Sequence, residues 1–297
     1  MLPDKLCRCV RIVTPKQYLL DGLWFGAVDP KAAIVFVHGL GSSAFAHHDY
    51  LVPLARRGIA VLYFNNRGHD GIAGVKRVKR GAKKGYVYQQ AGMAHEIFTE
   101  STDDIHGAVD LLHGRGARRI YLVGHSTGCQ KIIWYLSRRG TPARVAGAVL
   151  LCPISDYASA RHEDDRKRKK AEAVARKLVR QGKPHELLRS ELWRAPIDAQ
   201  RFLSLYTPHS KEEIFTYAQP GRIPRTLRNV KVPLLVVLAG DDEFRDRPSS
   251  EMAAWFRGHL RSKRAEVEII PGARHSFNGL ESKVTASVRH WIEMMNP

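Results

Sequence analysis

Short apolar runs alternate along this chain with longer segments whose apolar residues recur every three or four positions. Runs rich in β-branched and aromatic residues read as strands, and helical spacing between them reads as the helices covering a parallel sheet. Residues 6–13 and 18–27 form a leading antiparallel pair. Ala32–Val37, Ile59–Phe64, Arg119–Val123, Val145–Leu151, Val232–Ala239 and Val267–Ile270 follow, making eight strands in all. In Ser101–His113, Ile105, Ala108, Val109 and Leu112 share one helical face; Ser101 and Asp104 have the spacing of a capping box, and Gly114 and Gly116 close the helix. Gln130–Arg138 reads as a second helix stopped by Gly140. Ser282–Met294 reads as a closing helix striped by Val284, Val288, Trp291 and Ile292.

The alternation fails between about 156 and 230. That stretch is charged and helical in character, and it is divided by Pro184, Pro196, Pro208, Pro220 and Pro224. It reads as an insertion after the sixth strand. The expected organisation is an α/β core at 1–155 and 231–297, with a helical lid at 156–230.

Three loops at strand ends carry the chemistry. The first is Gly124-His125-Ser126-Thr127-Gly128, between a strand and a helix. A serine on such a turn has its hydroxyl exposed above the sheet, and the flanking glycines let backbone segments approach closely. The second is His38-Gly39-Leu40-Gly41, after the third strand. A serine nucleophile needs two N–H donors for the oxyanion, and Thr127 and Leu40 stand where these are expected. The same loop matches a dinucleotide fingerprint, Gly39-x-Gly41-x-x-Ala44, but the next strand ends in Asn65-Asn66-Arg67 and lacks the required acid. The third is His275, just after the last strand. It completes the order serine, acid, histidine as general base. The acid comes from Asp241-Asp242-Glu243 after the penultimate strand; Asp242 is the first choice, with Asp241 and Glu243 as alternatives. His38, Gly39, His125 and Arg67 are expected beside the substrate. Arg67 has a rival reading as part of a structural turn, and His47 and His48 are expected near the entrance without binding metal.

Together these loops resemble the α/β-hydrolase superfamily over nearly the whole chain. Phe64-Asn-Asn-Arg67-Gly-His-Asp70, Glu96-Ile-Phe98, Asp104-Ile105 and Gly124–Lys131 are similar to a poorly characterised branch that includes fungal siderophore-ester hydrolases. The resemblance implies esterase chemistry and a helical insertion between the sixth and seventh strands. The acidic loop departs from the common pattern, with Phe244-Arg-Asp-Arg-Pro248 after the acids.

Composition adds partners and place. Lys and Arg number 48 against 29 acids, a net charge of +19, concentrated in Lys76–Lys84 and Arg166–Lys170. This surface favours an anionic ester and weak polyanion association, whereas no zinc finger, helix-turn-helix or RNA-binding signature points to specific nucleic-acid recognition. Cys7, Cys9, Cys129 and Cys152 fit no zinc or disulfide framework and read as reduced and mostly packed. With no secretory leader and no apolar run of membrane length, a cytoplasmic protein is expected. No cofactor or metal is expected. The same serine chemistry serves an acyltransferase or thioesterase, and a non-catalytic binding protein on this fold is the alternative of another class. Serine at position 126 disfavours a dehalogenase, which uses an aspartate nucleophile.

Overall fold

The computed structural model describes residues 6–56, 58–138 and 144–295. Its strands are β1 (Arg8–Val13), β2 (Tyr18–Gly26), β3 (Ala32–Val37), β4 (Ile59–Phe64), β5 (Ala73–Val78), β6 (Tyr86–Ala91), β7 (Arg119–His125), β8 (Val145–Leu151), β9 (Leu234–Ala239) and β10 (Ala265–Ile270). They form one sheet in the order β10-β9-β8-β7-β3-β4-β2-β5-β6, with β1 paired to β2. From β4 to β10 through β3 the pairing is parallel; β1, β2, β5 and β6 pair antiparallel.

The sheet therefore has ten strands, not eight. All eight expected segments lie in it, and the β5–β6 hairpin is the addition. In this hairpin only Val75 and Ala91 are buried, so its sequence lacks the apolar signal of a strand. The basic run Lys76–Lys84 is the end of β5 and the hairpin turn.

Its helices are α1 (His48–Leu51), α2 (Ser101–Gly114), α3 (Thr127–Leu136), α4 (Asp156–Arg180), α5 (Ala199–Tyr206), α6 (Arg225–Asn229), α7 (Ser249–His259) and α8 (Glu281–Met294). Strand β3 shows why both sheet faces are covered. Ala33, Val35 and Val37 pack with residues of α2, α3 and α7, whereas Ile34 and Phe36 pack with α1 and α8. The α8 stripe of Val284, Val288, Trp291 and Ile292 is buried as the spacing predicts.

Two helix ends differ from expectation. The capping box at Ser101 does not form: Ser101 is the first residue of α2 and its hydroxyl donates to Phe98 O at 2.7 Å, while Asp104 accepts from Arg67. Helix α3 begins at Thr127, immediately after the serine, and the expected stop at Gly140 lies outside the described residues.

Between β8 and β9 lie α4, α5 and α6. Ser155 and Asp198 cap α4 and α5 with side-chain oxygens. Helix α4 is broken at Asp164, whose carboxylate accepts from Lys167 N at 2.9 Å and starts its second half. Ala171, Ala175, Leu188, Ile197, Phe202 and Leu205 give this segment a small core of its own, against which Leu40 packs. Buried ion pairs also tie it down: Arg201 meets Glu212 within the segment and Glu96 outside it, and Glu96 also meets Lys131 of α3. No described helix is long and apolar enough to cross a membrane.

Candidate active site

Strand β7 runs into α3 with no room between them. Ser126 takes φ 54°, ψ −127°, a conformation a non-glycine residue adopts only when its surroundings enforce it. They do so through close approach. A Cβ on Gly128 would stand 2.0 Å from Val37 O, and one on Gly39 would stand 2.9 Å from the Ser126 Cβ. The glycines of the motif thus let β3, its following loop and the serine turn share one spot. Gly128→Ala should therefore destabilise the protein by about 3 kcal/mol or more, or abolish folding, because the obstructing atom is backbone; a thermal melt checks this.

Thr127 opens α3 directly after Ser126, so its N–H has no carbonyl partner within the helix. Leu40 and Gly39 lie on the loop that the Gly39 contact presses against Ser126.

The histidine is held from several sides. His275 Nδ1–H donates to Asp242 Oδ2 at 2.7 Å, and its backbone N–H donates to Glu243 Oε2 at 2.9 Å. Phe244 N–H donates to the other Asp242 oxygen at 2.9 Å. Asp241 points elsewhere and meets the Arg245 side chain at 3.4 Å. Of the three adjacent acids, Asp242 reaches the imidazole ring. His125 Nε2–H donates to His275 O at 2.9 Å, Tyr50 OH donates to Ser276 O, and Phe244 packs edge-on against the His275 ring.

Ser126 and His275 line one cavity of about 360 Å³, with Gly39, Leu40, His47 and His125. Burial depresses both other histidines, His47 to about 4, with the nearby His275 as a second cause. They are neutral at pH 7. Unlike these, His275 has a carboxylate on its ring.

Two residues expected beside substrate stand elsewhere. Arg67 does not line this cavity. Its guanidinium is bound by Asp104 at 2.7 Å, Glu100 at 2.7 Å and Asp103 at 3.2 Å, and it stacks on the Tyr18 ring. Three carboxylates thus hold a buried guanidinium away from the Ser126 cavity, an arrangement in keeping with a structural turn. His38 is also outside the lining and fully buried. Its Nδ1–H donates to Gly39 O at 2.9 Å and its Nε2 accepts from Asn66 N–H at 3.2 Å. Burial and the neighbouring Lys131 push its pKa down to about 3, so His38 is a neutral strut under the Gly39–Leu40 loop. His47 lines the cavity, whereas His48 turns its ring to Ala44 O.

Sequence reasoning missed the far wall. Asp156, Ser159, Ala160 and Glu163 of α4 also line the cavity, as do Trp193, Tyr206 and Phe244. No local signal pointed to it, because Asp156, Ser159, Ala160 and Glu163 have the composition of a solvated helix face. It also missed Cys152, which directly follows β8 with φ 50° and lies beside Asp242 and His275. Among the described residues, two clusters have metal-ligand proximity: Cys152–Asp242–His275, whose carboxylate and ring already satisfy each other, and His95–His185–Asp198, where both rings hydrogen-bond one buried carboxylate oxygen. The cysteines divide evenly: Cys129 and Cys152 are buried and Cys7 and Cys9 exposed, all four as free thiols.

Residues 92–295 match a family model described as a protein of unknown function, DUF1749. The UPF0613 protein PB24D3.06c of Schizosaccharomyces pombe is 27% identical over 201 residues, covering 59% of this chain and 63% of that protein. The match thus spans less than two thirds of that relative's length. The siderophore hydrolase EstB of Aspergillus fumigatus superposes with a TM-score of 0.69 at 17% identity, over 99% of both chains. A soluble variant of the Saccharomyces cerevisiae monoglyceride lipase gives 0.67 at 11% identity, over 100% of this chain and 97% of that one. The Paleococcus ferrophilus monoacylglycerol lipase gives 0.63 at 18%, over 93% and 99%. The shared architecture is the α/β-hydrolase fold.

Proposed function

We propose that this chain, which belongs to the family described as a protein of unknown function, DUF1749, is a serine hydrolase that cleaves carboxylic esters through an acyl-enzyme on Ser126. The observation that carries the reading is the Asp242–His275 hydrogen bond of 2.7 Å in a ring that shares its cavity with a serine on a strained strand-to-helix turn. The esterases and lipases among the similar folds agree with it.

In this mechanism Asp242 holds the His275 proton on Nδ1, which leaves Nε2 free as a base. His275 takes the Ser126 proton as Oγ attacks the ester carbon. The Leu40 and Thr127 N–H groups receive the negative oxygen, each worth roughly 3 kcal/mol in the transition state. His275 then protonates the departing alcohol. Water, deprotonated by the same ring, releases the acid and restores Ser126. His125 acts on the His275 backbone and borders the cavity with Gly39.

The α4–α6 segment, 156–230, serves as the cap that shapes the pocket. Free thiols support a reducing, cytoplasmic location, and the exposed cations of the β5–β6 turn and α4 support loose polyanion association. An anionic substrate is not part of the proposal: among the described residues no Lys or Arg lines the cavity.

Asp242→Asn is the discriminating test. Turnover of a p-nitrophenyl ester should fall by about 10³- to 10⁴-fold, since the amide reverses the tautomer preference of the ring. Asp241→Asn should stay within about threefold of wild type, in line with surface substitutions away from the ring. Equal losses in both variants would sink the assignment of the acid.

A further inference from the structure

The cavity over Ser126 has a character that ester cleavage alone does not require. Asp156, Ser159, Ala160 and Glu163 recur at helical spacing, so one face of α4 before its break at Asp164 forms a wall. That wall carries two carboxylates. Trp193 and Tyr206 add two aromatic rings in contact, with centroids 4.7 Å apart and planes at 49°. Among the described residues no Lys or Arg lines it, and the guanidiniums behind the wall are already paired: Arg201 is fully buried and bound to Glu96 and Glu212, and Arg168, which donates to Tyr206 O at 3.2 Å, is bound to Asp165 and Glu172. Gln130 holds one oxygen of Asp156 at 3.0 Å, and Glu163 has no ion-pair partner among the described residues.

This pocket is acidic in a chain of net charge +19. Carboxylates beside aromatic faces are the chemistry that recognises organic cations, the first through charge and the second through the ring quadrupole. Resting on the esterase reading above, we propose that the cavity selects esters bearing a cationic group, an ammonium or guanidinium, held against Asp156 and Glu163 and the rings of Trp193 and Tyr206. The long-range field of the surface opposes such a substrate, so the preference is a local property of the wall.

The wall is prepared for this. Burial, reinforced by the nearby Glu212, raises the Asp156 carboxyl to about 7, so it is only partly ionised at neutral pH. An arriving cation draws the proton off and restores the charge where it is used. A carboxylate-bearing ester meets the opposite linkage and is excluded.

The test compares inactivation rates at Ser126 for fluorophosphonates of matched shape whose alkyl or alkoxy arm ends in trimethylammonium, tert-butyl or carboxylate. The trimethylammonium and tert-butyl groups differ in charge and hardly in size. At 0.15 M salt the cationic reagent should react at least tenfold faster than its tert-butyl twin on one of the two arms, and the carboxylate reagent slowest. In the Asp156→Asn/Glu163→Gln variant the cation-to-neutral ratio should fall below about threefold. Because Glu163 is exposed, Glu163→Gln alone serves if the double variant does not fold, with a smaller drop in the ratio. Ser126 labelled at equal rates by cation and neutral twin on both arms overturns this inference and leaves the reaction standing. A cation preference unchanged in both variants overturns the assignment to these carboxylates. Failure of every reagent to label Ser126 overturns the reaction itself, and the inference with it.

Discussion

Replacing Ser126 by alanine should lower kcat for a p-nitrophenyl ester by at least about 10⁴-fold while leaving the melting temperature nearly unchanged. The expectation separates chemistry from folding. Alanine keeps the Cβ, so the turn with φ 54° stays as strained as before, and the contacts of Gly39, Gly124 and Gly128 are untouched. The Ser126 backbone also keeps its bonds: its N–H donates to Leu151 O and its carbonyl accepts from Cys129 N–H, each at 2.9 Å. Only Oγ is lost. What should survive is catalysis by the proposed Leu40 and Thr127 donors acting on water, a small residue of the full effect. Turnover by wild type with equal turnover by Ser126→Ala would place the nucleophile elsewhere. Wild-type turnover with silence in the variant fixes it at Ser126, and the same ester panel then measures how much acyl chain the 360 Å³ cavity accepts.

The loops at the strand ends were legible in the sequence because their signals are local. Gly124-His-Ser-Thr-Gly128 lies between a buried strand and a helix, and its glycines stand where a Cβ would strike backbone. Strands β3 and β9 are buried at every position and read as unbroken apolar runs. Other features depend on contacts between residues far apart in the chain. Arg67 looked like a substrate ligand because an arginine near a catalytic loop is cationic in isolation; the three acids that surround it come from residues 100–104. The hairpin β5–β6 has two buried side chains and borrows its order from pairing with β2, so periodicity carried no trace of it. The cavity wall on α4 has a charged surface helix's pattern. Only the fold turns its Asp156–Glu163 face inward, and only the fold brings Trp193 beside it. The choice among three acids was likewise a matter of direction: successive side chains diverge, Glu243 meets the His275 backbone, and Asp242 meets its ring.

Glu96→Gln should cost about 3–5 kcal/mol and lower the melting temperature by roughly 5–8 °C. Glu96 is 4% exposed and bridges two buried cations, Lys131 Nζ at 2.6 Å and Arg201 at 2.8 Å. The amide keeps the shape and removes the charge. Lys131 is then left with Asn66 Oδ1 at 3.2 Å, and Arg201 with Glu212 at 2.5 Å. A buried cation without its counter-charge is the expensive product of such a change, more so than the loss of the pair itself. The pH dependence carries its own sign. Burial disfavours the charged carboxylate, but Lys131 and Arg201 outweigh it and hold Glu96 down at about 2, against an ordinary 4.5. A depressed acid stabilises the folded state fully above its unfolded value and loses that contribution as pH falls from 4.5 towards 2. The difference corresponds to about 3 kcal/mol. Buried acids pushed the other way, Asp104 to about 6 and Glu213 to about 8, titrate in both proteins. The informative quantity is therefore wild type minus variant, and that gap should shrink between pH 5 and pH 3. The consequence reaches the Gly39–Leu40 loop, because Lys131 holds Asn66 and the Asn66 N–H donates to His38, which in turn donates to Gly39 O. Loosening the chain should weaken the Leu40 donor, so kcat of the folded variant should fall with little change in KM. A Glu96→Gln protein that melts within about 2 °C of wild type, with the same gap at pH 5 and pH 3, would mean that Asn66 and Glu212 suffice for the two cations and that the carboxylate of Glu96 is dispensable to the link between the α4–α6 segment and the site.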